Sequence, residues 1–149
     1  MPEANRPQRI MVPIDVAHPR PYALRYARMI ARLSGADIVV AFSSEEPGHS
    51  EGAGFAEESE EEMKRRFDRE LAPFIREHLE CEALPESVLG IGEPGDVLIR
   101  LARECEIDLI VMSPHRRNAV SRRLVPGVAA KLIHEAPCAV LCVPPDKVQ

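Results

Sequence analysis

Asp15 stands at the end of the first apolar run of the chain with His18 just beyond it, and Ser113 and His115 stand at the end of a later run. In an open parallel sheet, ligands bind outside the carboxyl ends of the strands, at the crevice where the strand order reverses. If the two runs are neighbouring strands, these four side chains converge there. Three readings of the group stay open. Asp15 caps the region leading into a helix and the histidines are exposed loop residues; or Asp15, His18 and His115 ligate a divalent ion, since carboxylate and imidazole suit several of them; or the group lines a ligand cleft. No pair among them has the short fixed spacing of a metal motif.

Between Ser113 and Gly127 the chain reads SPHRRNAVSRRLVPG, where a phosphate-binding loop would join a strand to a helix. It carries Arg116, Arg117, Arg122 and Arg123 and almost no glycine. Guanidinium groups hold phosphate bidentately without a glycine nest. They serve equally as solvated charges paired to surface carboxylates, at about 0 to 1 kcal/mol per pair, or as a contact for RNA or an acidic protein.

GIGEPG, from Gly90 to Gly95, satisfies the spacing of a dinucleotide fingerprint and follows a strand as that motif should. The rest of the context fails. No acidic residue ends the next strand, since Asp108 precedes it and Ser113 closes it, and Pro94 removes an amide proton from the turn. A tight strand-to-helix turn is the expectation. No Gly-x-Ser-x-Gly elbow and no Walker loop is present, and no nucleophile and base pair can be named.

The elements that would position these residues come from an alternation of two periods. Ile10 to Ile14, Ile38 to Phe42, Val88 to Ile91, Leu109 to Met112 and Ala139 to Val143 read as strands buried on both faces. Helical spacing separates them: Pro21 to Ser34, a stretch from Glu57 containing Met63, Phe67, Leu71 and Phe74, a third helix marked by Val97 to Cys105, and a fourth from Gly127 to Glu135. In the second, Glu60 with Lys64, Glu61 with Arg65 and Glu62 with Arg66 are spaced for ion pairs, and Pro73 predicts a kink or a break. Residues 43 to 56 read as one long loop. Strands alternating with helices imply right-handed crossovers, hence an α/β fold with an open parallel sheet covered by helices on both faces.

Composition bounds the function. The 149 residues, 45% apolar, fit a single domain, 1 to 149, and a formal charge of -5 disfavours nucleic acid and anionic membranes as partners. The opening MPEANRPQRI lacks the apolar core of a signal peptide, and no apolar run approaches a bilayer's thickness. A cytoplasmic protein is expected, with Cys81, Cys105, Cys138 and Cys142 as reduced, small core residues.

RIMVPIDVAHPRPYALRYARMIARLSGADIVVAFSS, GEPGDVLIRLARECEIDLIVMSPH and VAAKLIHEAPCAVLCVPP, in that order, resemble the universal stress proteins along nearly the whole chain. The resemblance implies five parallel strands in the order 3-2-1-4-5, the adenine nucleotide alpha hydrolase-like arrangement, and commonly a homodimer joined through the last strand. Ala139 to Val143, bounded by Pro137 and Pro144, would otherwise be an exposed apolar edge and an aggregation hazard.

ATP-binding members of the family carry Gly-x-x-Gly, nine further residues and then Gly-Ser or Gly-Thr after the fourth strand, so that backbone amides close on the phosphates. Aligned through His115, this chain has Ser113 and Arg116 at the first two glycines, Pro126 at the third and Gly127 in place of the hydroxyl residue. All four positions depart. Asp15 remains, and Phe42 falls near the place where the family's second strand meets adenine. The resulting expectation is a non-catalytic, regulatory stress-response dimer with no metal, no cofactor and an unidentified protein partner. The alternative is ATP or AMP with Mg, held by Asp15, Phe42, Ser113, His115, Arg116, Arg117 and the Gly127 and Val128 amides, with at most very slow ATP hydrolysis.

Overall fold

The computed structural model describes residues 6–16, 18–44, 59–114 and 127–145. Five strands alternate with four helices: β1 Arg9–Pro13, α1 Tyr22–Ser34, β2 Asp37–Ser44, α2 Glu60–Leu79, β3 Glu86–Ile91, α3 Pro94–Glu104, β4 Leu109–Met112, α4 Val128–Glu135 and β5 Ala139–Cys142. All pair in parallel in the order β3-β2-β1-β4-β5. The expected topology is observed. Strand ends shift by up to two residues, and Ser43 and Ser44, expected in a loop, extend β2 against Gly90 and Ile91 of β3.

Because successive side chains of a strand point to opposite faces, each apolar run feeds two cores. Ile10 and Val12 of β1, Val40 and Phe42 of β2 and Val111 of β4 pack with α1 and α2, through Leu24, Ala27, Phe67, Leu71 and Ile75. Met11, Val39, Ala41, Ile110 and Met112 pack on the other face with Val97, Leu98 and Leu101 of α3 and Leu132 of α4. This double burial explains why the strands read as continuous apolar runs. The four cysteines are half-buried thiols, and burial pushes those of Cys105, Cys138 and Cys142 up, away from the reactive thiolate form.

Helix α2 departs from expectation in its start and in its ion pairs. It begins at Glu60 because Ser59 caps it: the Ser59 side chain accepts from the Glu62 N–H at 3.2 Å, and the Glu62 carboxylate accepts from the Ser59 N–H at 2.9 Å. Glu62 is thereby engaged at the helix start; Glu61 does pair with Arg65 at 3.7 Å, while Lys64 reaches Asp68 at 3.2 Å and Arg66 lies over the Phe67 ring. The helix also runs through Pro73 without a break. Pro73 is exposed while Ala72, Ile75 and Leu79 bury around it, so core packing on both sides outweighs the one lost backbone bond.

At the far end from the crevice, Asp108 ties β4 to β1 by accepting from the Gln8 N–H at 2.8 Å. On the α3 face, β3 comes close to the helix that follows it. A Cβ at Gly90 would run into Cγ1 of Val97. Gly90→Ala is therefore expected to lower stability by about 1 to 3 kcal/mol in urea unfolding, and the added cost should shrink when Val97 is also Ala.

Candidate functional site

The strand order reverses at β1, which has β2 on one side and β4 on the other. The chain runs outward from β1 to β2 and β3, then returns to lay β4 against β1, with Ile10 opposite Leu109 and Met11 opposite Ile110. Asp15 and Ser113, the residues just past these two strands, therefore stand at the same end of the sheet, where a switch-point ligand sits. Asp15 is exposed, and the N-cap of α1 is Pro21 without a side-chain hydrogen bond, so Asp15 is not the cap of that helix. His18 is exposed as well. Ser113 differs: its hydroxyl oxygen is buried and has no hydrogen-bond partner among the described residues. A buried hydroxyl without a partner is uncommon enough to need a cause.

His115, Arg116, Arg117, Arg122, Arg123 and Pro126 lie outside the described residues, so the proposed metal trio and the arginine loop have no described geometry. Among the described residues, no group of three or more His, Cys, Asp or Glu lies close enough to hold a metal ion. Phe42 lies in β2, as expected, with its side chain turned inward. It is fully buried, with its ring centroid 5.8 Å from that of Phe67, because at its position in β2 the side chain points into the core beneath α2. Its ring stabilises the core and does not line an open cleft.

Gly127 and Val128 open α4. A helix that follows β4 and leads into the parallel strand β5 must begin at the carboxyl end of the sheet, the end that carries Asp15 and Ser113. Gly127 is the N-cap in extended conformation, with no side-chain cap and no acidic residue in the first turn. The first amides of a helix have no partner within it and carry the positive end of its dipole.

The start of α3 is arranged the opposite way. Glu93 is its N-cap and Pro94 its first residue, and the Glu93 carboxylate accepts from the Gly95 N–H at 3.1 Å and the Asp96 N–H at 2.8 Å. Lys131 of α4 donates to the same carboxylate at 3.1 Å. Gly92, at φ 136, turns the chain so that its own N–H bonds the Ser44 carbonyl at 2.8 Å. The Gly92, Gly95 and Asp96 amides at this turn are thus occupied by the Ser44 carbonyl and the Glu93 carboxylate, and a pyrophosphate would have to displace Glu93. The bonds from Asp96 and Gly95, with Lys131 beside them, hold the Glu93 carboxyl below the usual carboxylate range. Sequence reasoning missed Glu93 and Lys131. A carboxylate just before Pro at the first helical position is a cap signature and was available; the pairing with Lys131, 38 residues away, was not.

The model of the universal stress protein family matches residues 7–144. The chain belongs to that family. A universal stress protein from Thermus aquaticus is 31% identical over 124 residues, covering 81% of this chain and 87% of that one. One from Methanothermobacter thermautotrophicus is 33% identical over 54 residues, 36% of each chain. Among solved structures, a universal stress protein in complex with cAMP matches at TM-score 0.67 and 22% identity over 93% of this chain and 98% of that chain. The Archaeoglobus fulgidus universal stress protein in complex with dAMP matches at TM-score 0.58 and 22% identity over 91% and 97%. At these identities the structural likeness establishes the fold, which the family assignment shares.

Glu93 gives a pH dependence. Its folded pKa is depressed, so its contribution is present above the usual carboxylate range and is lost as pH falls through the folded value. Glu93→Gln should melt below the native chain at neutral pH, with the gap closing on acidification through and below the usual carboxylate range; a gap independent of pH would contradict a charge-based cap.

Proposed function

We propose that this universal stress protein is a cytoplasmic, non-catalytic regulator of the stress response, which does not grip ATP through the glycine loop of the family's ATP-binding members. The observation that carries this reading is the start of α4. Gly127 stands where those members have a hydroxyl residue, and it offers the helix end no side-chain group at all. Ser113 puts a side chain where the first glycine would leave the backbone open, and Arg116 and Pro126 depart in the same direction. A triphosphate with its metal needs the contacts these substitutions remove.

A second reading is favoured by the Ser113 hydroxyl, buried at the crevice and without a hydrogen-bond partner among the described residues. It takes an adenine mononucleotide as the regulator's ligand, its single phosphate on the Gly127 and Val128 amides and its charge met by Arg116 or Arg117. The relatives in fold solved with cAMP and with dAMP support a ligand of that size. No step of hydrolysis follows from these residues, since a nucleophile and a base to activate it are not among them.

We further propose that two copies pair through β5, an edge of the sheet whose apolar residues are only partly covered. Sedimentation of the native chain at micromolar concentration should give twice the mass of one chain, and a single-chain mass would overturn this pairing.

The functional reading is tested by acid extraction of the purified protein, with chromatography of any released nucleotide and calorimetric titration of ATP, Mg-ATP and AMP. Weak or absent ATP binding with no release of ADP is expected. Tight Mg-ATP binding that survives Arg116→Ala with Arg117→Ala would overturn the loss of the triphosphate grip. AMP binding in the micromolar range that is lost in that double variant supports the mononucleotide.

A further inference from the structure

The start of α3 and the second turn of α4 meet in a cluster of three charges. Lys131 Nζ lies 3.1 Å from Oε2 of Glu93 and 2.6 Å from Oδ1 of Asp96. Among the described residues these are the ion pairs between the start of α3 and α4. The stem of the lysine crosses Gly95, where a Cβ would come within 2.6 Å of Lys131 Cδ, so the absence of a side chain at 95 is what admits it. The ammonium is held charged by Asp96 first and Glu93 second, which raise its pKa.

Lys131 has a second connection. Its backbone N–H donates to the Gly127 carbonyl at 3.2 Å and closes the first turn of α4. One residue thus both fastens α4 to α3 and completes the turn that presents the Gly127 and Val128 amides. The cluster does not attract an anion through its field, because two carboxylates against one ammonium leave it negative overall. Whatever it contributes to anion binding must come through placement of the helix.

We propose that Lys131 is a positioning residue which, through Glu93 and Asp96, sets the height and rotation of the first turn of α4 and so governs how well its amides meet a phosphate. The inference rests on the mononucleotide reading and adds to it a control point where α4 meets the start of α3. Placement and direct electrostatics predict opposite signs for one variant. Removing the negative charge at 93 should favour an anion if only the field matters, and should weaken it if the clamp matters.

The test is calorimetric titration of AMP and of adenosine into the full chain, as native protein, Lys131→Met and Glu93→Gln. The Gly95 and Asp96 amides bond separate oxygens of the Glu93 carboxylate; Glu93→Gln keeps one of these acceptors and removes the charge that faces Lys131, so it loosens the clamp without emptying the cap. Both variants are expected to bind AMP roughly tenfold more weakly, with their adenosine response unchanged from the native chain. Tighter AMP binding by Glu93→Gln, AMP affinity unchanged in both, or an equal loss for adenosine would each overturn the proposal. If the native chain ignores AMP, the mononucleotide reading falls by itself. Amide hydrogen exchange from Lys131 to Ile133 then decides the clamp: faster exchange in both variants supports it, and unchanged exchange overturns it.

Discussion

The constraint on which the rest depends is that the sheet is buried on both faces. Ile10, Met11 and Val12 of β1, Val39 to Phe42 of β2 and Ile110 to Met112 of β4 divide between two cores, and among the described residues no polar or charged residue is buried with them. A polar side chain in the middle of these strands would lose its water without gaining a partner. Chemistry is therefore confined to the strand ends. The reversal of strand order at β1 then selects which ends meet, and it brings Asp15 and Ser113 to one edge while Asp108 and the Gln8 amide secure the other.

Three helix starts show how one physical problem has been solved in different ways. Each presents free amides and a positive dipole end. In α2 the Ser59 and Glu62 side chains fill the need reciprocally, and in α3 the Glu93 carboxylate does so with Lys131 behind it. Both starts are closed to an outside anion by their own carboxylates. In α4 a glycine occupies the cap and the first turn is apolar, so no residue of the helix itself competes for its amides. The difference between a structural turn and a candidate binding end lies in whether a carboxylate of the chain already stands there.

Much of this was legible in the sequence. Val and Ile runs of strand length alternating with helical spacing gave the parallel sheet and its covering on both faces, because burial period is a strong signal and crossover handedness leaves few topologies. The family motifs fixed the strand order. What was not legible was decided by contacts across the fold. The inward side of Phe42 depends on the register of β2 beneath α2, and the continuity of α2 through Pro73 depends on packing that local propensity does not contain. The spacing of the glutamate run shows three candidate ion pairs, and it does not show that the Ser59 cap engages Glu62. The role of Lys131 is not legible because its partner Glu93 is 38 residues away in the chain.

Under the mononucleotide reading, the substitutions around the α4 end amount to a change in the kind of anion grip. A glycine nest holds phosphate with backbone dipoles fixed in place before the ligand arrives, and it spreads them over a long anion. Guanidinium groups on flexible stems give more charge per contact but must be ordered on binding, which costs side-chain entropy for each one engaged. Under the mononucleotide reading, a short anion would need one or two such groups beside the Gly127 and Val128 amides, whereas a triphosphate would need several ordered together. Replacing dipoles by cations therefore shifts preference toward the smaller ligand without any change in the crevice walls. It also places more weight on the part of the grip that remains preorganised, the first turn of α4, and hence on the charges that hold that helix against α3.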